Sequence, residues 1–265
     1  MNHVIAIHNN KGGVGKTMVS FNLAGASVEE GNDVLLVDFD EQGDATKLAT
    51  GSPVANSDKT TRDLLLDASC SVHDIVMRTK VKNLCIAPGG KSLKGVDTSL
   101  SLDPDALHRF RDKIDEARKA FDLIIFDLPT PLGWTVRTAF ATADLIFIPI
   151  QLEMTAIVNA AGVERLIESV QSYINPELRL GGYIINLCRP SSAHNEPVVQ
   201  RQHFEFIRNH LGERLFKTVI YSYIIYQEAR AAGLPITHYA PETRQAQTIR
   251  ELYKEVCHVR QKVET

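Results

Sequence analysis

The run Lys11-Gly12-Gly13-Val14-Gly15-Lys16-Thr17 holds the residue types that bind a polyphosphate. Glycines let backbone N–H groups close around the anion, a lysine reaches its terminal oxygens, and a threonine hydroxyl can ligate Mg2+. An apolar strand pattern precedes the run, and a helical pattern through Leu23 to Val28, ended by Gly31, follows it. That is the setting a phosphate loop requires, with the anion at a helix N-terminus. Gly12, Gly13, Val14, Gly15, Lys16 and Thr17 are therefore expected to bind ATP, with Lys16 catalytic and Thr17 on the metal. The strict pattern would place a glycine at Asn10, and asparagine tolerates positive φ better than most residues. Lys11 is a second lysine that an ordinary phosphate loop does not need.

Two further acidic sites follow apolar runs. Val37-Asp38-Phe39-Asp40 puts two carboxylates on one face at strand spacing. Phosphoryl transfer depends mostly on positioning and electrostatics, so Asp40 is expected to orient or activate the attacking water, with Asp38 beside the Mg2+ shell. Phe121 to Thr130 is an apolar strand ending in Asp127, the form of a Walker B element, and Asp127 is expected to hold Mg2+ through water.

Together these segments resemble the ParA/MinD family of deviant Walker ATPases. The loop matches its K-G-G-x-G-K-[ST] signature. Val37 to Thr46 is similar to V-D-x-D-P-Q-G-N-A-T, with Glu41 for Pro and Asp44 for Asn, and Phe121 to Thr130 is similar to F-D-x-I-I-I-D-x-P-P. Pro149 to Glu153 resembles V-P-x-Q-x-E. The resemblance implies that Lys11 reaches the partner's nucleotide across an ATP-dependent homodimer, which makes Lys11 both catalytic and nucleotide-binding. Met18 stands where many members have a second threonine near the α-phosphate. Asn186 ends a strand at which related proteins read adenine; its amide can pair with the base, and a turn-forming role suits it equally. The similarity runs from about Val4 to Val256 and is loose in the C-terminal third.

The elements that must position these residues are legible as apolar, β-branched runs at Val4–Ile7, Val34–Val37, Leu84–Ala87, Leu123–Phe126, Leu145–Ile148, Tyr183–Leu187 and Thr218–Ile220. They are too continuous for half-exposed strands and suit a sheet covered on both faces. Helical spacing appears at Leu107, Phe110, Ile114 and Ala117, with Asp103 as expected N-cap and Pro104 at the first helical position. It recurs at Ile157, Ala161, Leu166, Val170 and Tyr173, and at Ala246, Ile249, Leu252, Tyr253 and Val256. The alternation predicts one α/β domain over residues 1–265, a single doubly wound, mostly parallel sheet with helices on both faces and ligands at the strands' carboxyl ends. Thr50 to Thr61, rich in Gly, Ser, Pro, Asn and Thr, reads as a mobile surface loop.

Composition narrows the function classes. With 29 basic against 32 acidic residues the net charge is −3, so nucleic acid could bind only through a local patch. Cys70, Cys85, Cys188 and Cys257 are too scattered for a zinc site or a disulfide framework. The N-terminus has no basic segment leading into a long apolar run, and a cytoplasmic protein is expected.

The family's branches make different demands. A MinD-like membrane helix needs bulky apolar and basic residues, whereas Glu251 to Glu264 has mixed charge and reads as a docked helix. An iron-protein branch needs cysteines that Pro88-Gly89-Gly90 and Leu128-Pro129-Thr130 lack, and an arsenical-pump ATPase usually carries two fused loops. The ParA/Soj partition branch remains, supported by Asp40 to Thr46 and by Tyr226 to Ile236, which resembles L-S-E-A-P-S-x-G-x-P-V. It implies a nucleoid-associated dimer that binds nonspecific double-stranded DNA and is released by a ParB-like partner. The two basic residues of that branch's I-P-R-N-V-R are missing, since Ile220-Tyr221-Ser222-Tyr223-Ile224-Ile225 stands there. Arg189, Arg201, Arg208, Lys217, Arg230 and Arg244 are the candidates for a replacement face, because phosphate contacts need only position and charge. The alternative is an adaptor that uses the same switch to distribute a protein cargo.

Overall fold

The computed structural model describes residues 3–55, 58–190 and 197–264. Eight strands form one sheet: β1 (His3–Ile7), β2 (Val34–Asp38), β3 (Met77–Arg78), β4 (Leu84–Ala87), β5 (Leu123–Asp127), β6 (Leu145–Ile150), β7 (Arg179–Cys188) and β8 (Leu215–Tyr221). Their order is β3-β4-β2-β5-β1-β6-β7-β8, and every pairing is parallel except β3 with β4. All seven expected runs are strands. The eighth, β3, is a two-residue edge segment with a half-exposed Met77 and an exposed Arg78, too short to carry a period.

β1, β2, β5 and β6 are buried along their whole length, as strands covered on both faces must be. Successive residues face opposite layers. Val4 and Ala6 join a core with the helices α3 (Thr61–Leu66), α4 (Val96–Ser101), α5 (Ala106–Ala117), α6 (Trp134–Phe140), α7 (Ala156–Tyr173) and α8 (Val198–Leu211). Ile5 and Ile7 face α1 (Lys16–Glu29), α2 (Asp44–Thr50), α9 (Ile224–Ala232), α10 (Ile236–Tyr239) and α11 (Arg244–Glu264). Phe39, Phe110 and Phe126 pack mutually, with ring centroids 5.1 to 6.0 Å apart. That cluster anchors the segment after β2 to the sheet.

The expected α11 face, Ala246, Ile249, Leu252, Tyr253 and Val256, is buried as a stripe. The other two helices correct the sequence reading. α5 starts at Ala106 with Asp105 at its N-cap, because Asp103 instead receives the Arg109 guanidinium and the Asp105 N–H. α7 buries Val170 as expected, and Ile157 and Leu166 pack partly buried against the core, but its fully buried line runs through Ala156, Ala160, Val163, Ile167 and Val170, and Tyr173 is 86% exposed. Ile157 and Leu166 flank that line. Thr50 and Thr61 of the expected loop belong to α2 and α3; Asn56 and Ser57 lie outside the described residues.

Candidate active site

β1 lies between β5 and β6, and the chain leaves its carboxyl end through residues 8–15 into α1. Gly13 (φ 75°) and Gly15 (φ 81°) take left-handed conformations there. Gly15 is the N-cap of α1 and offers no side-chain cap, so the first N–H groups of the helix suit an anion. A Cβ at Gly15 would press on the Asn186 amide, and its φ of 81° strains any other residue there. Beneath the loop, His8 is fully buried with its ring edge-on to Phe140, and burial pushes its imidazole down to about 3. It stays neutral just after β1.

Lys16, Thr17 and Asp127 converge at the carboxyl end of the sheet. Lys16 is 8% exposed, and its ammonium donates to Thr130 Oγ1 at 3.0 Å. Burial lowers its pKa, opposed by Asp127 and Asp40. Asp127 accepts the Thr17 hydroxyl at 2.7 Å on one oxygen and the Ser20 hydroxyl at 2.9 Å on the other. Register places Asp38 beside Asp127 on adjacent strands. Burial and the Asp38 charge push Asp127 up to about 7, and burial pushes Asp38 up to about 6. Two desolvated neighbouring acids favour a cation.

These residues fit Mg2+. Among the described residues there is no group of three or more His, Cys, Asp or Glu that would cage an ion. Mg2+ instead keeps waters and takes one or two carboxylates or hydroxyls plus substrate phosphates. Thr17 with Asp127 supplies that set.

Asp38 is engaged within the protein. It accepts the Asp40 N–H at 3.0 Å, the Thr46 N–H at 2.9 Å and the Thr46 hydroxyl at 2.6 Å. The Thr46 oxygen in turn accepts the Gly89 N–H at 2.9 Å. Asp38 thus ties the end of β2 to α2 and to the turn after β4. Asp40 is half-buried, accepts the Gln42 N–H at 2.9 Å, and lines a cavity of about 620 Å3 together with Gly13, Gly15, Lys16 and Thr17. Met18, Leu187, Tyr223 and Tyr226 line the same cavity.

Lys11 lies beside the loop after β6. Its ammonium is 2.5 Å from Glu153 Oε2, and its N–H donates to Asn9 Oδ1 at 2.9 Å. The Asn9 amide donates to the Pro149 carbonyl at 2.8 Å, and the Gln151 amide to the Gly13 carbonyl at 3.3 Å. Asn186 donates to the Val14 carbonyl at 2.7 Å, and its Oδ1 has no hydrogen-bond partner among the described residues. The amide nitrogen therefore braces the phosphate loop.

The six basic candidates do not form one cluster. Lys217 and Arg244 line a separate groove of about 600 Å3 with Phe204 and with Pro190, the neighbour of Arg189. Arg201 and Arg208 are exposed on α8, and Arg208 stacks 5.3 Å from the Phe204 ring centre. Arg230 stands apart, on the wall of the nucleotide cavity. Sequence reasoning gave no role to Ser20, Thr130 or Glu153. Ser20, three residues after Thr17 on one helix face, was discoverable by helical spacing. The other two depend on loops folding back.

Residues 2–180 match the family described as "AAA domain". The chain is 31% identical over 257 residues to the sporulation initiation inhibitor protein Soj of Bacillus subtilis, covering 97% of this chain and 99% of that protein. The septum site-determining protein MinD of Pyrococcus horikoshii, solved with Mg-ADP, superposes with a TM-score of 0.75 at 26% identity, covering 97% of this chain and 96% of that one. Apo McdA from Cyanothece superposes with a TM-score of 0.83 at 18% identity, covering 97% and 98%, and shares the fold. By its phosphate loop, its sheet and its near full-length similarity, this chain belongs to the ParA/MinD family of P-loop ATPases, which use ATP with Mg2+.

Proposed function

We propose that this protein is a partition-type ATPase. Its MgATP-bound homodimer binds double-stranded DNA without sequence preference, and a ParB-like partner triggers hydrolysis and release. Lys16 and the loop N–H groups hold the β- and γ-phosphates, Thr17 and Asp127 hold Mg2+, and Asp40 positions the attacking water. Lys11 acts in trans on the partner's nucleotide. In a cell the dimer would sit on the nucleoid, in the cytoplasm.

One observation carries the DNA reading. The nucleotide cavity and the groove containing Lys217 and Arg244 share Tyr223 and Tyr226 at the start of α9. A ligand that moves these tyrosines alters both, which is what nucleotide-dependent DNA binding requires. The test is duplex binding with ATP, ADP and no nucleotide across a salt series. ATP-only binding whose affinity falls steeply with salt supports the reading, because released counterions set that slope.

A second reading has its own observation. The segment after β8 is neutral, with Tyr223 40% and Ile224 70% exposed. Such a surface suits a protein contact better than a phosphate backbone. No DNA retention at low salt in any nucleotide state would favour the cargo adaptor over partition.

A further inference from the structure

Two side chains that depart from the family's motifs meet at the nucleotide cavity. Asp44 stands where the acidic segment has asparagine, and Arg230 where L-S-E-A-P-S-x-G-x-P-V has its first proline. They are 186 positions apart, yet Arg230 Nη2 lies 3.8 Å from Asp44 Oδ2. Asp44 opens α2, directly after the switch segment, and Arg230 is in the last turn of α9. Both side chains line the cavity that contains Lys16 and Thr17. Lys47, one turn along α2, is the other cation near Asp44, at 3.4 Å, and its ammonium also donates to the Gln42 carbonyl.

The cavity must receive a polyanion. Without Arg230 the acid on its wall would face only Lys47, whose ammonium is shared with the Gln42 carbonyl, and its charge would oppose the polyanion, the more so as bound nucleotide excludes water. Asparagine with proline contributes no charge, and aspartate with arginine sums to none. Either change alone would alter the charge of the wall.

We infer that Arg230 is a positioning residue for nucleotide binding: it neutralises Asp44 and holds that carboxylate toward α9, so that the cavity accepts the triphosphate. The inference rests on the ATP-site reading. It takes Arg230 out of the DNA-contacting set and makes it part of the nucleotide site's second layer, acting through Asp44.

The test is the dissociation constant of a fluorescent ATP analogue with Mg2+, measured on the full chain. Arg230→Ala should weaken binding about threefold at low salt, the scale of a half-exposed ion pair, and the effect should shrink as salt is added. Arg230→Lys should retain most of the affinity. The double variant Asp44→Asn/Arg230→Ala should bind as the wild type does, a rescue that a merely structural arginine would not show. Melting temperatures without nucleotide check folding. If the double variant binds as weakly as Arg230→Ala, Arg230 acts directly on the nucleotide and the inference is overturned. Arg230→Ala binding like the wild type also overturns it. Failure of the ATP-site reading looks different, since the wild type and Lys16→Ala would then bind the analogue equally poorly.

Discussion

Replacing Glu153 by Gln should tighten ATP-dependent self-association. In the single chain the Lys11 ammonium sits 2.5 Å from Glu153 Oε2, with side chains 31% and 46% exposed. A lysine that reaches the partner's nucleotide must leave this carboxylate. A pair this exposed is worth about 0.5–1 kcal/mol. Two are broken per dimer, giving about 1–2 kcal/mol, or roughly fivefold to thirtyfold in the dimer dissociation constant. Glutamine keeps the shape and a hydrogen-bond acceptor while removing the charge. The assay is sedimentation velocity over a protein dilution series with Mg2+ and a slowly hydrolysed ATP analogue. Lys11→Ala is the control, expected to bind nucleotide but remain monomeric. If Glu153→Gln dimerises no more tightly than the wild type, the cis pair does not compete with the trans contact. If Lys11→Ala dimerises normally, the trans role itself is wrong.

Other consequences can be checked separately. Asp40→Ala should give an ATP-bound dimer with little phosphate release, measured by a coupled phosphate assay beside light scattering; normal turnover would remove Asp40 from the water-positioning role. Gly15→Ala should lose nucleotide binding and lower the melting temperature, because its Cβ would press on the Asn186 amide at φ 81°. Retained binding in calorimetry would contradict that packing. Stability without nucleotide should depend on pH in a defined direction. Asp127 and Asp38 have folded pKa values raised to about 7 and about 6, so between about pH 4 and 7 the folded state holds more protons than the unfolded chain. Their contribution is full below the unfolded carboxylate pKa and is lost as pH rises through the folded values. His8, buried with its imidazole pushed down to about 3, contributes in the opposite sense below about pH 6.5, so the test is the difference between the wild type and Asp127→Asn. Wild-type thermal melts should fall relative to that variant's from pH 5 to 7.5, and a difference that stays constant or rises over that window would refute the assignment.

Much of this protein is written in local pattern. Lys11 to Thr17 between an apolar run and a helical one defines the phosphate loop, because glycine torsions and a helix N-terminus are properties of neighbouring residues. Asp38 and Asp127 end apolar runs, which the sequence shows; that β5 lies between β2 and β1 and so sets the two acids side by side is decided by the sheet order. The seven long strands were legible because full burial leaves an unbroken apolar run.

What the sequence left open was settled by contacts between distant segments. Arg230 looked like any other surface arginine until α9 packed it beside Asp44. Lys11 carried its signature in the sequence, but its carboxylate partner, 142 positions away, depends on how the loop after β6 folds back. Asn186 gives its amide nitrogen to the Val14 carbonyl, a partner 172 positions away in the chain. Asp103 has the composition of a helix cap, but the Arg109 guanidinium takes it. On α7, Val170 is buried and Ile157 and Leu166 pack against the core as their spacing predicted, whereas Tyr173 at the helix end is exposed and Ala156, Ala160, Val163 and Ile167 complete the buried line. The sequence by itself determines the backbone cradle and the acids that serve it. Which charges stand opposite one another across the cavity is decided by side-chain packing between elements far apart in the chain, where no spacing rule reaches.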